Sequence, residues 1–160
     1  MIGRIMLVVG LLVTASRAYG QSETEVASLE GIGKLEIVVA PLEGAAAALG
    51  VGSELLKNRV DGRLREAGVP VAGFAVAFLQ LDVFAMQLSV GPDVVLRTSL
   101  SFFQPAASTL NQWLGPARTW SAERVTHTGA SRASDALLAD VAHLADAFVA
   151  SWTTANPPLE

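Results

Sequence analysis

Asp140, His143 and Asp146 are spaced so that, on a helix, they fall side by side along one edge. A carboxylate one turn before an imidazole can orient the ring for proton transfer, or the pair can offer two ligands to a metal ion. A zinc or catalytic centre needs a third group from elsewhere, and the only other histidine is His127. Asp140, His143 and His127 are therefore the set on which a small hydrolase or metal-dependent enzyme would have to be built. The plainer account is that a helix places polar residues on its solvated face, where an Asp three positions before a His is ordinary.

Other chemistries lack a motif. No serine stands in G-x-S-x-G or S-x-x-K, and there is no cysteine to act as nucleophile, disulfide partner, thiolate ligand or lipid-attachment site. Gly31-x-Gly33 and Gly50-x-Gly52 lack the further glycine and the lysine of phosphate-binding loops. Lys57, Arg59, Arg63 and Arg65 suggest an anion patch, yet Asp61 lies four residues from both Lys57 and Arg65, and Glu66 three from Arg63, so pairing on a solvated face explains them. Trp113, Trp120 and Trp152 can line a groove or fill a core. With no catalytic set assembled, no cofactor and no enzymatic activity are expected.

These residues need elements to hold them. The 160 residues are 51% hydrophobic and 16% charged, with a net charge of −4, which suits one domain with a real core and offers nothing to nucleic acid. Residues 1–20 read as a secretory signal peptide. Arg4 leads an apolar run from Ile5 to Val13, and small residues at Ala18 and Gly20 predict cleavage after Gly20, with Ala18 the second choice. That run is too short to span a bilayer, for which about 20 residues are needed, although a retained membrane tether is the alternative. Residues 21–33 are a polar N-terminal lead-in, and residues 34–156 a single domain.

Within that domain Leu35, Ile37 and Val39 alternate with Lys34 and Glu36 as a first strand, and Pro41 ends it. Ser53 is the expected N-cap of a helix over 54–67, with Leu56, Val60 and Leu64 on one face and Gly68 and Pro70 beyond its end. Gly62 within it costs about 1 kcal/mol against alanine and calls for a close backbone neighbour. Val69 to Phe74 can form a short strand. The run Val69–Val90 is nearly uncharged, but Pro70, Gly73, Gln80, Asp82 and Gln87 argue against a membrane span.

Phe78 to Gln104 reads as a hairpin about Gly91-Pro92-Asp93, with Leu79, Leu81 and Val83 facing the same way as Val94, Leu96, Leu100 and Phe102. A loop over 105–116 carries Trp113, and a strand over 117–127 sets Trp120, Ala122 and Arg124 on one face. Ser134-Asp135 opens a last helix whose stripe is Leu137, Val141, Leu144 and Phe148. The order predicts an α+β two-layer sandwich: a mostly antiparallel sheet of four or five strands with two helices packed on one face.

The segments Gly50-Val51-Gly52-Ser53-Glu54-Leu55-Leu56 and Gly62 through Val69, the Thr119-Trp120 pair, and Leu144-Ala145-Asp146-Ala147-Phe148 through Asn156-Pro157 resemble a group of small exported bacterial proteins of unknown function. The resemblance covers about residues 28–158 and implies a periplasmic or secreted location without an activity. The expected role is therefore protein contact in the cell envelope, or binding of a small apolar ligand there. The far face of the hairpin supplies the surface: Phe84, Met86 and Leu88 at one end and Phe103 at the other, with Trp113 beyond.

Overall fold

The computed structural model describes residues 21–157, so the signal-peptide expectation for residues 1–20 lies outside the described residues. Four strands, β1 (Leu35–Val39), β2 (Ala77–Gln87), β3 (Asp93–Ala107) and β4 (Leu114–Gly129), form one sheet in sequence order. β1 runs parallel to β2, and the remaining pairs are antiparallel. A parallel neighbour requires a crossover. Here it is made by α2 (Gly44–Ala47) and α3 (Ser53–Glu66), and α4 (Ala133–Ala155) follows the last strand through a 3₁₀ turn at Ala130–Arg132. The two long helices cover one face, so the expected α+β two-layer sandwich is the fold observed.

Alternation decides which side chains meet those helices. Leu79 pairs with Phe102, Leu81 with Leu100 and Ala85 with Leu96, and all six are buried. They share one core with Leu35 and Ile37 of β1, the α3 stripe Leu56, Val60 and Leu64, and the α4 stripe Leu137, Val141, Leu144 and Phe148. Trp120 enters this core from β4, edge-on to Phe148 at 5.0 Å, and Phe102 lies 5.9 Å from the same ring. Most of the driving force for the fold is this single buried layer between helices and sheet.

Several local expectations are corrected. α3 begins at Ser53 itself, with Gly52 as N-cap and no side-chain capping bond. Its other end is a Schellman closure: Gly68 at φ +77° lets its N–H reach the Arg65 carbonyl, and Val69 N–H reaches that of Leu64. Val71 makes only an isolated parallel bridge to Leu35 rather than a strand, because Pro70 has no N–H to extend the ladder. The loop expected over 105–116 is shorter, since Pro105 pairs with Pro116 and the strands run on to Ala107 and from Leu114. Two prolines can face each other where the ladder asks neither for a donor. Ser134 does not cap α4; its hydroxyl donates to the Leu49 carbonyl at 2.8 Å and ties the helix start to the α2–α3 link.

The polar segment before β1 is structured. α1 (Glu23–Ala27) opens with a capping box between Ser22 and Glu25. Leu29 is fully buried in the core, and Asn156 clamps the following turn by donating to the Leu29 carbonyl and accepting from Gly31 N–H, both at 2.9 Å. The alternation test misses such a segment because a single leucine carries its burial.

Gly62 has no close neighbour: a Cβ built there meets nothing within 4 Å. Helix propensity then acts alone, and Gly62→Ala is expected to stabilise the protein by about 1 kcal/mol. Chemical denaturation is the check, and an unchanged midpoint would mean that the position carries a constraint that space does not show.

Candidate functional site

The helix α4 does not present Asp140, His143 and Asp146 as one polar face. Asp140 is only 3% exposed, because its carboxylate turns toward the sheet and accepts a 2.8 Å bond from Arg124 Nε. Thr98, the register partner of Arg124 on β3, is fully buried, and its hydroxyl has no hydrogen-bond partner among the described residues. His143 is exposed, and Asp146 leans the other way to Arg63 of α3 at 3.6 Å. His127 stands three residues from Arg124 on β4, hence on the opposite face of the sheet, where it meets Asp93 at 3.3 Å. The structure thus separates His127 from Asp140 and His143. Among the described residues no group of three His, Asp or Glu side chains is placed to hold a metal ion.

Sequence spacing alone did not reveal the partner of Asp140, although a signal was available. Arg124 shares a face with Trp120 and Ala122, and a charge on an otherwise apolar strand face needs a counter-charge from the layer above. The bond fixes how α4 sits along β4. Trp120 adds a second tie, its indole N–H donating to Ser151 Oγ at 3.1 Å.

The tryptophans divide accordingly. Trp120 is core, Trp152 is half-buried on α4, and Trp113 is half-exposed at the tip of the β3–β4 hairpin. The Trp113 indole lies over Gly115 and fills the space that a Cβ there would need. They line no common groove.

What remains without cover is the other face of the sheet. Among the described residues no helix lies on it, and it is organised in rows across the strands. Phe78 and Phe103 are register partners and stack with centroids 5.0 Å apart. The middle of the face is polar, with Gln80 beside Ser101, and Asp82 beside Ser99 and Glu123. Phe84, Arg97 and Val125 follow in one row, then Met86, Val95 and His127. Phe84, Met86 and Val125 are 57%, 47% and 66% exposed. Leu88 is half-buried just past the end of β2, its N–H donating to the Asp93 carbonyl. The register keeps the expected apolar ends, Phe84, Met86 and Leu88 at one and Phe103 at the other, about 20 Å apart at the rise of a strand.

Arg97 stands in the Phe84 row and donates from Nε and Nη2 to Glu123 Oε2 at 2.9 and 2.6 Å. This hydrogen bond holds the Glu123 carboxyl below its ordinary value, against a weaker opposing effect of burial, and raises Arg97. For an acid whose folded value is depressed, the stabilisation is full above the ordinary carboxylate range and is lost as pH falls through the lowered value. The stability advantage of wild type over Glu123→Gln should therefore be present at neutral pH and vanish in acid below the carboxylate range. NMR titration of Glu123 in Arg97→Met should show its midpoint moving up; no movement would mean that the pair does not persist in solution.

Beside Arg97 and Phe84, Pro41, Asp82 and Ser99 line a depression of about 190 Å³. Drug-sized ligands occupy pockets of about 300–1,000 Å³, so this hollow suits a side chain better than a whole ligand. No helix among the described residues is long and apolar enough to cross a membrane.

No protein-family model matches the chain, and no curated protein matches it. Solved structures similar to it include lipoprotein-like bacterial proteins. A PelC dodecamer from Paraburkholderia phytofirmans is 15% identical, with a TM-score of 0.45 over 71% of this chain and 85% of that one. A minor lipoprotein from Acinetobacter baumannii is 12% identical, with a TM-score of 0.43 over 76% of this chain and 90% of that one.

Proposed function

We propose that this chain is a non-catalytic, exported domain of the bacterial cell envelope that acts by protein contact through the uncovered face of its sheet. The observation that carries the reading is the group Phe84, Met86 and Val125, exposed around the Arg97–Glu123 pair on a face that no helix among the described residues covers. Solvent-facing sheet surfaces are ordinarily polar, and exposed apolar groups rimmed by charge are the usual composition of a contact surface. The shallow hollow by Phe84 favours a protruding side chain of a protein partner over a small ligand. Export rests on the signal-peptide pattern of residues 1–20.

Native electrophoresis of an envelope extract tests the proposal. Wild type is expected to migrate in a complex larger than the chain alone. Phe84→Asp combined with Met86→Asp should run free while melting at the wild-type temperature, since neither side chain belongs to the core. Wild type migrating as the bare chain, or a double variant still in the complex, would contradict the reading.

A further inference from the structure

We infer that the tip of the β3–β4 hairpin is a membrane-docking element that enters the interface of a phospholipid bilayer. This does not rest on the protein-contact reading, because it uses the end of the sheet away from Phe84 and Met86.

β2 pairs with β3 no further than Phe78 and Phe103, whereas β3 and β4 run on together for four more pairs, to Ala107 and Leu114. The result is a two-stranded ribbon that projects past the rest of the sheet. Hairpin tips in water are ordinarily built from polar and turn-forming residues. This one carries Leu110 at 97% exposure, Leu114 at 73% and Trp113 at 50%. Phe74 and Val76, which lead into β2 at the same end, are 85% and 71% exposed. No charged residue lies between Arg97 and Arg118, and none between Glu66 and Asp82.

Lipid is the occupant that suits such a tip. A convex ribbon offers no groove to a partner's side chain, while leucines around a tryptophan settle at the boundary of headgroups and acyl chains. Backbone groups carried there must be satisfied from within. The tip meets that requirement: Ser108 N–H donates to the Trp113 carbonyl at 2.8 Å, and Gln112 N–H to that of Ser108 at 3.1 Å. Leu110 N–H donates to Ser108 Oγ at 3.3 Å, and Trp113 N–H to Asn111 Oδ1 at 3.2 Å. Charge is placed to match. Arg118 is exposed, makes no ion pair among the described residues, and lies about 13 Å along the strand from Leu114. With the tip sunk about 5–10 Å into the boundary, its guanidinium reaches the lipid phosphates.

The chain also enters the domain at this end. Ser151 Oγ, which holds the Trp120 indole, donates to Gln21 Oε1 at 3.5 Å, and Ser28 reaches the Thr119 carbonyl at the root of the ribbon. The apolar run Ile5–Val13, which export brings to a membrane, is therefore joined to the same end as the tip.

Tryptophan quenching by vesicles of phosphatidylcholine brominated along its acyl chains tests the inference on the chain as recovered from the envelope. Trp120 is sealed in the core and Trp152 packs against it, so the signal belongs to Trp113. Wild type should shift its emission to shorter wavelength and lose intensity as lipid is added, and Trp113→Phe should do neither. Leu110→Asp combined with Leu114→Asp should need about a hundredfold more lipid or beyond for the same quenching, while melting unchanged. Leu55→Asp, which removes an exposed leucine from α3, should titrate as wild type. Reading Trp113 itself, and not adsorption at large, separates the tip from any membrane binding by residues 1–20. Wild type unquenched, quenching that persists in Trp113→Phe, or a double variant that titrates as wild type would overturn the inference. So would an emission shift that requires envelope protein and not lipid, which would make the tip a protein contact.

Discussion

Trp120→Ala is expected to cost about 3–5 kcal/mol. Trp120 is fully buried, meets Phe148 edge-on, and stands at the junction of β4, β3 and α4. Removing it opens a cavity of indole size and also takes the donor from Ser151. Ser151 keeps its own bond to the Ala147 carbonyl, so the hydroxyl is not stranded. Trp120→Phe, which keeps most of the ring volume, should therefore lose only about 1–2 kcal/mol. Urea denaturation of the two variants decides the matter. Equal losses would mean that the hydrogen bond, and not the packing, is what Trp120 supplies.

The second large effect is an asymmetry at the buried ion pair. The Arg124 side chain is 40% exposed, whereas that of Asp140 is 4% exposed. Arg124→Met leaves a carboxylate sealed between helix and sheet with no counter-charge, and should cost about 3–5 kcal/mol. Asp140→Leu leaves a guanidinium that can turn to water, so its loss should be nearer about 1 kcal/mol. The double variant should recover most of what Arg124→Met loses, since no isolated charge then remains. Equal single losses, or a double variant as unstable as Arg124→Met, would show that the pair does more than neutralise a buried acid.

Those two sites mark where sequence reasoning reached and where it stopped. The β2–β3 hairpin and both apolar helix stripes were legible because period two and period 3.6 each fix a face, and that face is the one buried. The layer order followed, since two stripes and one apolar sheet face can bury one another in few ways. Periodicity carries no information about which polar residue answers which. Asp140 and His143 share a wheel edge, yet Asp140 sits close enough to the core boundary for Arg124 to draw it in, while His143 stays in water. Spacing offers Arg63 to Glu66 on its own helix, but the packing of α3 against α4 brings it to Asp146 instead. Leu29 escapes a periodic reading for a similar reason: one leucine in a polar stretch has no period, and its burial depends on Asn156, more than a hundred residues away.

The open face was legible as a pattern, with apolar residues at both ends and polar ones between. What required the register was the cross-strand partner of each residue, Phe103 for Phe78 and Arg97 for Phe84. The nearer end, with Arg97 and Glu123, is where the proposed contact is centred.

Photo-crosslinking from single positions in living cells tests that claim most directly. A photoreactive residue is placed at Phe84 on the open face and, separately, at Leu55 and Ala139 on the exposed helix layer. One discrete adduct with a different protein is expected from position 84 and none from 55 or 139. An adduct from the helix positions and none from 84 would contradict it.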